Sequence, residues 1–233
     1  MVLKLNETRE AYQEFYGGDV EQMPKLIADG RVPMNVAQLM RRRLDVRNSD
    51  KAVKGSYMDN YFDTGDAVVY HPDGRVKIVL DSQTLRDMTP ETQRVGGALL
   101  LTKDVYDALE GKEFKKGKLG KVNESLLRKD VKSHPVWKIL AKDQGLLNDY
   151  VDYIFSEYQE RFAKGTSLED VRAMGVFPDS AGRQPKMRAW YVGGFGGMSD
   201  AVGRLDLDDY CGRFLGIASE ALSAPGKGAC FKH

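Results

Sequence analysis

Apolar residues recur at helical spacing in three parts of the N-terminal third of the chain. This periodicity predicts helices over residues 5–16, 20–27 and 36–44. Gly17 and Gly30 follow the first two segments, and glycine is typical of the position just after a helix. The chain is therefore expected to begin with three helices.

A change to strand-like patterning follows at residues 66–80. Two runs rich in valine and isoleucine flank His71-Pro-Asp-Gly74, a turn sequence in which proline presets φ and glycine completes the turn. This pattern predicts a β-hairpin over 66–80. Shorter apolar runs predict further strands near 95–101 and 187–192.

Helical patterning returns in the second half of the chain. A long apolar stripe predicts helix over 135–162, and the capping-box sequence Thr166-Ser-Leu-Glu169 predicts a short helix over 168–174. A last helix is expected over 210–222, followed by a loose tail from Ala224. The elements do not alternate strictly between strand and helix, so they predict an α+β fold whose small, mainly antiparallel sheet packs with several helices.

Length and composition favour a single globular domain spanning residues 1–233. A weak subdivision into 1–111 and 122–233 would fall across a lysine- and glycine-rich segment. Apolar residues make up 42% and charged residues 30% of the chain, and the net charge is +1, so any attraction to nucleic acid must be local.

The start lacks an apolar stretch of signal-peptide length and no apolar run could span a bilayer, which predicts a cytoplasmic protein with no membrane partner. Cys211 and Cys230 are interpreted as reduced thiols, with one disulfide between them as the alternative.

The strongest charge signal is a basic segment at residues 112–138, which carries nine basic and three acidic residues. Interleaved glycines keep its first part turned or mobile. Such a segment can follow a phosphate backbone without reading its sequence, so it predicts nucleic acid or another polyanion as partner. The alternatives are an acidic protein partner, the protein's own acidic face, or a solvated surface with no partner. The residues assigned to polyanion binding are Lys115, Lys116, Lys118, Lys121, Lys129 and Lys132.

A second candidate site is the glycine-rich loop 193–199, which follows the predicted strand 187–192. Glycine is costly to order, so four glycines in five positions suggest close approach by a ligand or by the protein's own backbone. An anion could sit at the start of a helix near Ser199. Too few residues follow for a complete dinucleotide-binding unit. The residues assigned to this ligand site are Gly194, Gly196, Gly197, Ser199 and Arg204.

Other polar clusters are compatible with chemistry but have simpler explanations. Asp206, Asp208 and Asp209 could hold Mg²⁺, or could cap the expected helix that follows. The triplet Asp63-Thr-Gly65 matches the core of an aspartic protease, or forms a polar turn that enters the hairpin. No histidine or cysteine has a partner at metal-ligand spacing, so no metal and no cofactor are predicted.

No motif in the sequence is specific enough to name a reaction, so catalytic residues and enzymatic activity are left unassigned. We interpret the chain as a polyanion-binding or nucleic-acid-binding accessory protein that uses the basic segment. A small-molecule binding protein or enzyme with an anion site at loop 193–199 is the first alternative. The second is a homo-oligomeric structural protein, whose self-association surface would be aromatic: Tyr57, Tyr61, Phe62, Trp190 and Phe195.

Overall fold

The computed structural model describes residues 2–6 and 11–218, so the expected tail and Cys230 lie outside the described residues. The twelve strands are β1 (Tyr12–Tyr16), β2 (Arg31–Pro33), β3 (Phe62–Tyr70), β4 (Val76–Val79), β5 (Arg94–Val95), β6 (Ala98–Leu100), β7 (Lys112–Phe114), β8 (Ser125–Leu127), β9 (Arg172–Pro178), β10 (Lys186–Val192), β11 (Ala201–Gly203) and β12 (Arg213–Ala218). The eight α-helices are α1 (Asp19–Ala28), α2 (Val36–Asp45), α3 (Lys51–Met58), α4 (Gln83–Arg86), α5 (Lys103–Ala108), α6 (Arg128–Ser133), α7 (Pro135–Ala141) and α8 (Gln144–Phe162).

The strands form one large mixed sheet. Its main path runs β1-β12-β3-β10-β11-β9-β8, and the remaining strands pair alongside it. β12 is parallel to β3 and β11 is parallel to β9, whereas the other pairs are antiparallel. The prediction of a small, mainly antiparallel sheet is therefore wrong. Six of the twelve strands have only two or three residues, too short for a two-residue periodicity to be visible in the sequence.

Helices cover both faces of the sheet. Along β3, Val68 and Tyr70 belong to the core cluster that packs against α2, α3 and α6–α8, whereas Ala67 and Val69 belong to the cluster that packs against α1, α4 and α5. Successive strand residues point to opposite faces, so a strand covered on both sides is buried throughout. All nine residues of β3 are accordingly buried.

Three segments expected to be helical are strands. Residues 5–16 contain β1, residues 168–174 overlap β9, and residues 210–222 contain β12. β1 and β12 pair with each other over five residues, so their apolar positions are satisfied by sheet neighbours rather than by a helix face. Gly216 explains why this pairing is tight, because a Cβ there would press against the ring of Phe15 and the stem of Arg31.

Other predicted elements are present where the sequence placed them. The hairpin 66–80 forms as β3 and β4, the run near 95–101 forms β5 and β6, and 187–192 lies within β10. Sheet pairing joins strands from both sides of the lysine- and glycine-rich segment, and the single-domain organisation stays a prediction. Within the described part of the chain, no helix is long and apolar enough to cross a membrane.

One buried cation joins the helices to the glycine-rich loop. Arg43 of α2 is fully buried, and its guanidinium donates hydrogen bonds to the carbonyls of Tyr57, Asn60 and Gly193 and to the hydroxyl of Tyr150. Five N–H groups in a rigid fork allow arginine to serve several acceptors at once. Arg43 therefore ties α2, α3 and α8 to the end of β10.

Candidate functional site

Two tyrosines are in contact at the end of the sheet where the central strand β3 begins and its neighbour β10 ends. In the antiparallel register of these strands, Phe62 pairs with Val192 and Asp63 pairs with Tyr191. This register places Tyr61, just before β3, beside Tyr191. Their rings stack with centroids 5.1 Å apart and planes 29° apart. We call these two residues the tyrosine pair.

The stack continues beyond the tyrosine pair. The Arg213 guanidinium lies 4.8 Å from the ring centroid of Tyr61 and 5.1 Å from that of Tyr16. Its Nε lies 2.7 Å from Glu14 Oε1, and its Nη1 donates to Asn60 Oδ1 at 2.6 Å. The stack therefore has its residues on β1, β10 and β12 and on the turn before β3, which fixes their positions through the sheet.

Two cavities open beside the tyrosine pair, and both tyrosines line both cavities. The glycine-side cavity, of about 260 Å³, is also lined by Asp59, Gly193, Gly194, Gly196, Met198, Asp200 and Val202. The aspartate-side cavity, of about 230 Å³, is also lined by Asp63, Leu205, Asp206, Asp209, Cys211 and Gly212. Exposed apolar and aromatic side chains lie nearby, since Tyr210 is 81% exposed and Leu205 is 38% exposed. Together they make a recessed aromatic surface at one end of the sheet.

The glycine-rich loop forms one wall of this surface, and its glycines have a packing reason. Gly193 donates to the carbonyl of Asp200, and a Cβ on Gly193 would collide with the carbonyl of Met198. A Cβ on Gly194 would lie 2.8 Å from backbone atoms of Asn60. The first two glycines are therefore needed where the chain approaches itself closely.

We expect Gly194→Ala to lower the free energy of unfolding by about 2 kcal/mol, because overpacking against backbone cannot be relieved by a side-chain rotation. Gly196 is the matched control, since no atom lies within 4 Å of a Cβ built there. Gly196→Ala should change stability by less than about 0.5 kcal/mol. Urea denaturation of both variants measures the difference, and equal midpoints would contradict the packing explanation.

The remaining residues assigned to an anion site do not form a helix N-terminus. Residues Phe195–Gly197 form one 3-10 turn, and a strand rather than a helix follows at Ala201. Ser199 is buried and its N–H donates to the carbonyl of Ala173. Arg204 is exposed, with its guanidinium 5.3 Å from the ring centroid of Phe177. The helix dipole expected to attract an anion is therefore absent from loop 193–199.

Buried aspartates lie behind the tyrosine pair. Asp63 accepts a hydrogen bond from the Arg213 backbone N–H at 2.8 Å, and burial raises the pKa of Asp63 to about 7. Burial also raises the pKa of Asp200 to about 7. Asp200 lines the glycine-side cavity and Asp63 lines the aspartate-side cavity. Both cavities can therefore change charge near neutral pH.

The residues of the protease-like triplet are used within the fold. The hydroxyl of Thr64 donates to the carbonyl of Trp190 at 2.7 Å. Asp66, which directly follows the triplet, accepts hydrogen bonds from the N–H groups of Val36 and Asp81 at 2.9 Å, so its carboxylate lies at the N-terminus of α2. This arrangement supports the structural interpretation of the triplet.

The three aspartates considered for Mg²⁺ have separate partners. Asp206 forms an ion pair with Arg188 at 2.8 Å, Asp208 lies 3.5 Å from Arg94, and Asp209 accepts from the N–H of Cys211. They precede β12 instead of capping a helix. In residues 2–6 and 11–218, no group of three His, Cys, Asp or Glu side chains is arranged to hold a metal ion.

The lysines at the start of the basic segment lie at the other end of the sheet, whereas Ser125, later in the segment, contacts Met198 beside the glycine-side cavity. Lys116 packs beside Gly74, in the turn that follows the last residue of β3, whereas Tyr61 precedes the first. At ~3.3 Å per residue, the nine residues of β3 separate these ends by roughly 26 Å. Lys115, Lys116 and Lys118 are exposed, and Lys129 is also exposed. Two further lysines of this set are paired: Lys121 with Asp130 at 2.9 Å, and Lys132 with Asp152 at 2.6 Å.

Most of the aromatic residues suggested for self-association are in the core. Tyr57, Phe62, Trp190 and Phe195 are all buried, and only Tyr61 of that set is partly exposed. Sequence reasoning missed the role of Tyr61 as a partner of Tyr191. The signal that could have found it is the strand pairing itself, which joins residues 130 positions apart.

The architecture is similar to that of a solved structure. That structure is described as the accommodation of massive sequence variation in Nanoarchaeota by the C-type lectin fold. The similarity has a TM-score of 0.65 at 15% sequence identity, and covers 92% of this chain and 100% of that chain. The chain has the C-type lectin fold. No family model matches the sequence, and no curated protein matches it. A shared fold does not show a shared function, so the function of this chain depends on the residues of its site.

Proposed function

We propose that this protein is a binding protein whose ligand site consists of the two cavities beside the tyrosine pair. The observation that carries the proposal is that one stacked pair of partly exposed tyrosines forms a shared wall of both cavities. Tyrosine combines a large apolar face with a polar hydroxyl and loses little conformational entropy when it binds. This combination is typical of recognition surfaces.

The support behind the tyrosine pair favours a preformed site. The hydroxyl of Tyr61 donates to the carbonyl of Cys211 at 2.6 Å, and Arg213 packs on the Tyr61 ring. Tyr191 is part of β10, and Arg43 holds the carbonyl of Gly193 just after that strand. When rigid elements hold the side chains that contact a ligand, less conformational entropy is lost on binding.

The size of the cavities favours projecting groups over a large cofactor. Each cavity is smaller than the roughly 300–1,000 Å³ that is typical of pockets for drug-sized ligands. Two small adjacent recesses suit side chains of a protein or peptide, or a small molecule that occupies one of them. The similar structure from Nanoarchaeota is described as a C-type lectin fold that accommodates massive sequence variation. We infer that residues 193–200 and 204–212 of this chain are likewise a recognition surface, supported by the sheet.

Protein-observed NMR with a fragment library of cationic, neutral and anionic compounds tests this proposal. Bound fragments should shift amide resonances near residues 61, 191–200 and 205–212. Tyr191→Ala should weaken their binding at least tenfold, because one wall of both cavities is removed, whereas Tyr191→Phe should retain it. Fragments that bind only elsewhere, or that bind Tyr191→Ala unchanged, would contradict the proposed site.

Polyanion binding by the basic segment is a second candidate function. It is favoured by the exposure of Lys115, Lys116 and Lys118, for which no ion-pair partner exists among the described residues. The triple variant K115E/K116E/K118E serves as the control for the fragment experiment. It should keep fragment binding and lose salt-dependent binding of short single-stranded DNA, while Tyr191→Ala should do the reverse.

A further inference from the structure

The two cavities beside the tyrosine pair have the same sign of charge. Among the described residues that line them, five are aspartates and none is lysine, arginine or histidine. Asp59 is paired with Arg161 at 2.7 Å and Asp206 with Arg188 at 2.8 Å. The other three aspartates have no ion-pair partner in the described part of the chain: Asp63, Asp200 and Asp209.

A fourth carboxyl group lies behind the aspartate-side cavity. Asp19 is only 2% exposed, and its Oδ1 is buried without a hydrogen-bond partner. It lies directly behind Gly212, which lines the cavity, since a Cβ on Gly212 would collide with Asp19 Oδ1. Burial, followed by the charges of Asp63 and Asp209, raises the pKa of Asp19. A cation entering this cavity would meet carboxyl groups that the protein itself leaves uncompensated.

The nearby Arg213 supplies only part of that compensation, since its charge lowers the pKa of Asp63 without forming an ion pair with it. The side chain of Arg213 is occupied by Glu14 and Asn60, and its ring contacts are with Tyr16 and Tyr61. Only its backbone N–H reaches Asp63. The aspartate-side cavity therefore combines two aromatic walls with a carboxylate floor whose cationic partner is missing from the described residues.

We propose that the aspartate-side cavity binds a guanidinium or ammonium group of the ligand. This inference rests on the proposed function and gives the chemical class of the ligand, which is opposite in charge to the anion expected from the glycine-rich loop. The cavity of about 230 Å³ suits one long cationic side chain, with its alkyl stem against the tyrosine rings and its charged end toward Asp63 and Asp209.

A pair of nearly isosteric probes tests the proposal. N-α-acetyl-argininamide carries a guanidinium, and N-α-acetyl-citrullinamide replaces it with a neutral urea of similar shape. Titrated into the full chain, the arginine probe should shift amide resonances of residues 191 and 205–213 and bind at least tenfold more tightly than the citrulline probe. Agmatine and a pentapeptide with arginine between glycines form two further arms, which distinguish a small amine from a peptide side chain as the source.

Variants of single aspartates locate the bound cation. Asp209→Asn, at an exposed position, should weaken the arginine probe at least tenfold, and Asp63→Asn should do the same if that variant folds. Asp208→Asn is the matched control, because Asp208 belongs to the same loop but faces Arg94 and does not line the cavity. It should leave affinity within twofold of the original.

The outcomes separate this inference from the proposed function. Equal binding of the arginine and citrulline probes in this cavity would overturn cation recognition and leave the binding site standing. Arginine-probe binding that is insensitive to Asp209→Asn, or that shifts resonances elsewhere, would also overturn it. If fragments of every charge fail to bind beside the tyrosine pair, the proposed function itself fails.

Discussion

Replacing Arg43 by methionine is expected to lower the free energy of unfolding by about 3 kcal/mol or more. Methionine keeps much of the side-chain volume but removes every donor. The carbonyls of Tyr57, Asn60 and Gly193 then lose a charged hydrogen-bond donor inside the protein. Each unsatisfied buried group costs about 1–3 kcal/mol, whereas the gain is relief from burying one cation. With three carbonyls and the Tyr150 hydroxyl affected, we expect the loss to exceed the gain.

Urea denaturation measures this effect, and Arg41→Met is the matched control. Arg41 lies two residues away on the same helix but is exposed, so its replacement should change stability by less than about 0.5 kcal/mol. Arg43→Met should also weaken fragment binding beside the tyrosine pair, because Gly193 lines the glycine-side cavity. Equal stability of the two variants would mean that the hydrogen bonds of the buried Arg43 do not contribute to the free energy of unfolding.

The contrast between Arg41 and Arg43 illustrates what sequence patterns can predict. The apolar periodicity of 36–44 correctly predicts α2, but three consecutive arginines look like a single basic patch in the sequence. Arg43 instead faces the core on the same side as Leu39 and Met40, because residues three and four apart share a helix face. Its carbonyl acceptors come from distant parts of the chain, which no local pattern reveals.

The prediction of a small sheet was wrong for a similar reason, because a local pattern does not show contacts between distant parts of the chain. Alternation in the hairpin predicts that Lys77 points to solvent, but Lys77 is buried and its ammonium donates to the carbonyls of Tyr106 and Leu109. A helix layer on the second face of the sheet provides these acceptors. β12 was not predicted because Phe214, Leu215 and Ile217 form a short apolar run, and such a run fits a helix or a buried strand equally well.

The proposed site adjoins the glycine-rich loop that was predicted from the sequence, but its chemistry differs from that prediction. The glycine-rich run 193–197 marks the correct end of β10, since two of its glycines allow the close packing beside Asn60 and Met198. The anion expected there depended on a helix that does not form. The negative charge of the aspartate-side cavity comes from aspartates on β3 and on the loop before β12, and long-range strand pairing brings them together.

Stability is expected to fall as the pH rises from 5 to 8. Burial raises the pKa of Asp63 and Asp200 to about 7 and that of Asp66 to about 6. In the unfolded chain these groups ionise near pH ~3.9. Between the two values the folded protein holds more protons than the unfolded chain, so the stabilisation present at low pH is lost as the pH rises through the folded pKa values. The maximum slope is about 1.4 kcal/mol per pH unit for each group, and we expect a total loss of about 3 kcal/mol or more.

Urea denaturation at pH 5 and pH 8 tests this expectation, and the choice of window isolates the buried aspartates. The pKa of Asp73 is lowered by hydrogen bonds from Arg75, so its contribution changes only below this window. Burial lowers the pKa of His134, which opposes the trend below about pH 6.5 but is a single group against three. Asp200→Asn, which keeps the side chain neutral at every pH, should flatten the profile and be relatively more stable at pH 8. A profile that is flat or rises toward pH 8 in the original protein would mean that these carboxyl groups ionise normally, and the acidic cavities would then be fully charged at neutral pH.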